Sequence, residues 1–171
     1  MKYQKHTAGL TLVELLLYVS LSSIILLTTI FFLGSLLDAR IKNQTITEVE
    51  QQGMQIVHIM TQALRNAENV GSPAQGASAA ALTLDVIPVL ADPTIFDVQS
   101  GVIRIQEGTA APIPLTNGRI TASALTFQNL SRTGTPGTIR IQFTLSHKNP
   151  SGKNEYSYAK TFTASATLRH P

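Results

Sequence analysis

Glu14 is the residue whose position calls for chemistry. It stands just inside an apolar stretch, and from Leu15 to Leu37 no charged side chain follows. A carboxylate in hydrocarbon costs roughly 2.5–3.5 kcal/mol at the centre of a helix and less near the interface, so such an acid needs a partner. Lys2 and Lys5 are the cations upstream, and both can snorkel to lipid headgroups. Cleavage after Gly9 would supply a sharper partner. Leu10 would then carry a free α-amine at the i, i+4 spacing that puts two groups on one helix face. Between chains, the amine of one copy would meet Glu14 of the next and fix the stagger of packed helices. Deleting one member of such a buried pair costs about 3–5 kcal/mol. The plainer role is an acid in the first helical turn, favoured by the helix dipole and marking the membrane entrance.

Other chemistry finds little support. The chain has no cysteine, which excludes disulfides, zinc–thiolate sites and thiol nucleophiles. His6, His58, His147 and His170 are dispersed, and no His-Glu-x-x-His pair exists. They offer no metal-ligand spacing. Asp85, Asp92 and Asp97 could offer oxygen to calcium, but their spacing fits no standard loop and they read as turn acids. No glycine-rich phosphate loop and no nucleophile elbow occur. No cofactor and no enzymatic activity are expected. The net charge of +3 comes from scattered residues. Few aromatics interleave with Arg104, Arg119, Arg132, Arg140, Lys148, Lys153, Lys160 and Arg169, which argues against a nucleic-acid face.

The elements that would position Glu14 follow from periodicity. The 171 residues suffice for an anchor and one domain. The run from Leu10 to Leu37 is long enough for the ~20 residues that span a membrane and too long for the core of a cleaved secretory signal. From Asp38 the pattern turns amphipathic. Ile46, Val49, Gly53, Ile56, Met60, Ala63, Leu64 and Ala67 recur at three- and four-residue steps, one face of a helix. No proline interrupts the chain from Leu10 to Gly71. One helix is therefore expected from about Leu10 to about Asn69, with Gly34 and Gly53 as weak points of about 1 kcal/mol each. Residues 71–78 read as a loop.

Beyond residue 80 the period is two. Leu82, Leu84 and Val86 alternate with polar residues, and Val102 to Gln106 is a short strand. Asn117-Gly118 predicts a hairpin turn joining Ile113–Leu115 to Arg119–Thr121. Ala124 to Leu130 is another strand. Ile139, Ile141, Phe143 and Leu145 share one strand face, and Tyr156, Tyr158, Phe162, Ala164, Ala166 and Leu168 share one on the return. The helix stripe and this sheet can be buried only against each other, with Ala164 and Ala166 small enough for close approach. The fold class is α+β: one long N-terminal helix, half transmembrane and half amphipathic, on a small antiparallel β-sheet head. The expected segments are 1–9, 10–37, 38–70 and 71–171.

The stretch Gly9-Leu10-Thr11-Leu12-Val13-Glu14-Leu15-Leu16, behind the basic leader 1–8, resembles the processing site of type IV pilins and type II secretion pseudopilins. The resemblance implies a leader peptide cut between Gly9 and Leu10 by prepilin peptidase, with N-methylation of Leu10. It implies that Glu14 registers the next subunit, and it gives the helix-and-sheet layout above a pilin-like cast. Leu10 departs from the phenylalanine commonest there. Segments such as Ala124–Phe127, Ile139–Ile141 and Thr161–Arg169 are similar, more loosely, to minor pseudopilins of the J type and minor pilins. Major subunits usually carry a proline in the anchor; Thr28-Thr29-Ile30-Phe31-Phe32 has none. The implied partners are prepilin peptidase, other pilin or pseudopilin subunits, an inner-membrane assembly platform, and membrane lipid before assembly. The implied location is the bacterial inner membrane with an exported head, then a periplasmic or cell-surface filament. The alternative is a signal-anchored single-pass protein with an exported binding or enzymatic head.

Overall fold

A computed structural model describes Gly9 and residues 11–87, 89–134 and 136–169. Two compact units divide the chain, Met1–Arg40 and Ile41–Pro171. One helix, α1 (Leu12–Asn66), serves both. In the first unit its apolar side chains are all exposed, including Leu16, Ile24, Leu27, Phe31 and Leu37. The segment is long and apolar enough to cross a membrane, with a mean hydropathy of 2.3 over its best window. Five of its hydroxyls are satisfied within the helix. Ser20 donates to the Leu17 carbonyl at 2.9 Å, Ser22 and Ser23 to Val19 at 3.0 and 2.7 Å, and Thr28 and Thr29 to Ile25 at 2.9 and 2.8 Å. Such pairing is what hydrocarbon demands of any polar group it surrounds.

In the second unit α1 buries one stripe: Thr45, Val49, Gly53, Ile56, Met60 and Leu64, with Ala67 continuing it just past the helix end. The steps of four, four and three residues average about 3.67 per turn. That is close enough to the helix's own 3.6 for the stripe to stay on one face. Ile46 and Ala63, expected in it, are half-buried at its margins, and Thr45 takes a buried place.

Two antiparallel sheets receive the stripe, where the sequence suggested one. The first has strand order β1-β3-β4-β5-β6 and comprises β1 (Asn69–Ser72), β3 (Leu82–Asp85), β4 (Thr94–Gln99), β5 (Val102–Glu107) and β6 (Ile113–Pro114). The second has order β2-β7-β8-β9 and comprises β2 (Ser78–Ala79), β7 (Ile120–Asn129), β8 (Thr138–His147) and β9 (Ala159–Thr167). β1 and β2 occupy part of the stretch that composition assigns to a loop, because pairing with β3 and β7 outweighs a weak local preference. β4 was hidden among its flanking acids and prolines. Its partner β5 turns on Ser100 and Gly101, both at positive φ (52° and 75°), the geometry that matches strand twist in a two-residue hairpin. β8 and β9 pair from Thr138↔Thr167 to Ser146↔Ala159. The return begins later than expected, since Asn154–Tyr156 is a 3-10 turn.

Asn117-Gly118 is not a hairpin. β6 pairs back with β5 while β7 opens the other sheet, so this turn carries the chain from one sheet to the next.

The core joins Leu82, Leu84, Phe96 and Ile103 of the first sheet to Phe127, Ile141, Phe143 and Phe162 of the second, with Ile56, Met60 and Leu64 of α1. At Gly53 the helix meets the sheet closely, so this glycine is a contact site as well as a weak point of the helix. A Cβ there would overlap the Phe162 ring at Cζ. That ring stacks on Phe143, centroids 5.4 Å apart. Ala166 lies in the same core, and Gly53 adds a close contact from the helix side. Gly53→Ala should lower head stability by about 1–3 kcal/mol through overpacking, despite alanine's better helix propensity. Chemical denaturation of Gly53→Ala, Phe162→Ala and the double variant checks this. The two changes should be strongly non-additive, because the small side chain at 162 removes the clash.

Candidate assembly site and head surfaces

At its N-terminus α1 is closed by a capping box. Thr11 occupies the N-cap, and Glu14 is the third residue of the helix. The Glu14 N–H donates to Thr11 Oγ1 at 3.3 Å, and the Thr11 N–H donates to Glu14 Oε2 at 3.4 Å. Thr11 Oγ1 also lies 3.5 Å from Glu14 Oε2. This reciprocal arrangement satisfies two helix-end donors that otherwise have no partner. The carboxylate is therefore turned back toward Thr11. Leu10 and the leader 1–8 lie outside the described residues; Gly9 is exposed, with open space around its Cα. The Thr-x-x-Glu spacing is a signal legible in sequence that a search for ion partners passes over.

Asp85 accepts from Asn69 Nδ2 at 3.2 Å, Asp92 accepts from the Val86 N–H at 3.2 Å, and Asp97 holds Arg104 at 2.5–2.9 Å. Arg104 also reaches Gln99 Oε1. The three acids thus serve separate local partners. Among the described residues no group of three or more histidines or acids is gathered as a metal site requires. His58 is exposed on α1. His6 and His170 lie outside the described residues.

One polar cluster was not legible beforehand. Glu48 of α1 accepts from Asn117 Nδ2 at 2.7 Å, and Gln52 accepts from the Asn117 N–H at 3.1 Å. Arg119 and His147 Nε2 approach the other Glu48 oxygen at 3.6 and 3.8 Å. His147 stacks on Tyr156, centroids 5.7 Å apart, and its Nδ1 is buried without a hydrogen-bond partner among the described residues. The cluster fastens the sheet-to-sheet crossing to the helix. It joins Glu48 and Gln52 to residues dozens of positions further along the chain. Nearby, Lys42 Nζ donates to the carbonyls of Asn154 and Ser157 at 2.9 and 2.7 Å, holding the 3-10 turn to the helix.

A second helix-to-strand contact joins Glu50 to β9. Lys160 Nζ donates to Glu50 Oε1 at 2.6 Å, and the Tyr158 hydroxyl donates to the same oxygen at 3.2 Å. The Lys160 hydrogen bond and charge hold the Glu50 carboxyl below its ordinary 4.5. The same bond raises Lys160, while burial, then the Glu50 charge, raises Tyr158.

Comparison with known proteins finds no matching family model, no matching curated protein and no matching solved structure.

The lowered Glu50 value sets a sign. A carboxyl whose folded pKa is depressed contributes stability above its unfolded value and loses it as pH falls through the folded one. The Glu50–Lys160 contribution should thus be complete above about pH 4.5 and vanish in more acidic solution. Melting curves of wild type and Glu50→Gln, compared from pH 6 to pH 3, should converge at the acid end. The gap at pH 6 should be small, as for exposed pairs in general.

Proposed function

We propose that this protein is a minor subunit of a type IV filament machine: a pilus, a type II secretion or a competence filament. The observation that carries the reading is the coincidence of features at one end of α1. A basic leader, Gly9, an acid at Glu14 and an uncharged run to Leu37 stand in the order and spacing of a prepilin. Supporting it, α1 continues past this run into a stripe that antiparallel strands cover, the layout of a pilin.

The work of such a subunit is assembly rather than catalysis. It would be made as a membrane precursor with the head exported, then cleaved after Gly9 by prepilin peptidase and N-methylated on Leu10. Side chains such as Leu16, Ile24 and Phe31, exposed in the single chain, would face lipid first and neighbouring helices later. Without a hydrophobic gain between lipid and protein, close packing would hold them, and small residues such as Ser20, Ser22, Ser23 and Gly34 allow it. Glu14 would leave its own Thr11 amide for the α-amine of a neighbour, or hold both. The charge-assisted bond is the stronger.

Two measurements test this. In a host with prepilin peptidase, mass spectrometry should find a mature N-terminus at Leu10 with one added methyl; a mature chain beginning at Met1 would sink the reading. Glu14→Gln and Glu14→Ala separate the two roles of the acid. Glutamine keeps the capping box but not the charge. If the ion pair matters, both variants insert in the membrane and both fail to enter filaments. A Glu14→Gln chain that assembles like wild type reduces Glu14 to a helix cap.

A further inference from the structure

Three of the four sheet edges are blunted. β1 has four residues and a register shift between Val70 and Ser72; β2 has two; β6 has two, including Pro114. Short strands, bulges and proline are the devices that keep an edge from pairing with another chain. β9 has none of them. It runs nine residues without a register shift, contains no proline, and bears one charge, Lys160 near its start.

The ladder fixes which backbone groups are free. The His147 N–H donates to the Tyr158 carbonyl and the Leu168 N–H to that of Gly137. The even-numbered residues of β9 therefore bond to β8. By antiparallel alternation, the N–H and C=O groups of Ala159, Thr161, Thr163, Ser165 and Thr167 point away from the sheet. All five residues are exposed.

The two ends of this edge differ in charge. At the start, Lys160 is neutralised by Glu50 at 2.6 Å. At the far end, the Arg169 N–H donates to the Arg65 carbonyl at 3.2 Å. A groove of about 420 Å³ opens there between α1 and β9, lined by His58, Thr61, Gln62, Arg65, Thr167 and Arg169. Its lining comes from α1, β9 and Arg169, with no residue of β8. Neither Arg65 nor Arg169 has a carboxylate partner among the described residues.

We propose that the outer edge of β9 is a strand-addition site. It takes an extended segment of another protein, antiparallel to β9, whose first residues are acidic and lie against Arg65 and Arg169. Backbone bonds supply the register and the two guanidiniums supply the polarity. A second copy of β9 is the poorer occupant. Antiparallel pairing would bring its Lys160, already paired with Glu50, toward Arg169, so it offers no unpaired carboxylate to Arg65 and Arg169. The site is independent of how the chain is anchored or processed.

The test uses the full chain in detergent micelles and two fluorescent synthetic peptides. One begins with two glutamates followed by alternating valine and threonine; the other begins with two lysines and is otherwise identical. The glutamate peptide should bind about tenfold more tightly. It should slow hydrogen exchange at the amides of Thr161, Thr163 and Ser165, which are open in the free protein. Thr163→Pro, which removes an outward donor, should abolish binding. Arg65→Glu combined with Arg169→Glu lies on the surface and should reverse the preference between the peptides. The proposal is overturned if neither peptide binds, if binding leaves those amides unprotected, or if the charge-reversed variant keeps the original preference.

Discussion

The head depends on one constraint: neither sheet can bury its apolar face without the stripe of α1. Val49, Ile56, Met60 and Leu64 stand fully buried among strands of both sheets. An isolated helix with this stripe would leave it in water, and each sheet alone would do the same. Gly53 sharpens the constraint. At its bare Cα the Phe162 ring fills the space a side chain would need. A position costly by helix propensity is thus favoured by packing. Around this contact the polar fastenings fall into place, Glu50 to Lys160 on β9 and Glu48 to Asn117 at the crossing.

The first unit answers to a different solvent. Its apolar side chains have nothing to pack on within the chain, while Ser20, Ser22, Ser23, Thr28 and Thr29 turn back to carbonyls three and four residues earlier. Such a helix is long and apolar enough to cross a membrane. Glu14 is the exception, and the capping box gives it a local home. An acid already bonded to its own helix end is cheaper to keep near hydrocarbon than a bare one. The box therefore sets the baseline against which any intermolecular partner of Glu14 must compete.

Much of this was legible in the residues. The buried stripe repeats at helical spacing, and the β8–β9 pair alternates in register, because both are local consequences of half-burial. What escaped depended on distance. The split into two sheets hinges on Asn117, whose Asn-Gly dipeptide looks like a hairpin until Glu48 and Gln52 claim it from far along the chain. β4 escaped because prolines and acids flank it, although its partner β5 was plain. Gly53 carried a propensity penalty in isolation and a packing role only once Phe162 was opposite. The capping box was readable at Thr11 and Glu14, yet an acid facing an oily run draws attention to charge rather than to geometry.

The fastening of the crossing has a mechanical sequel. Because the segment between the sheets is tied to α1 through Glu48 and Gln52, the two layers share one hinge pin. Neither can peel away without loosening the other's grip on the helix. A tug on one layer is felt by all three parts, and the head yields as a single body.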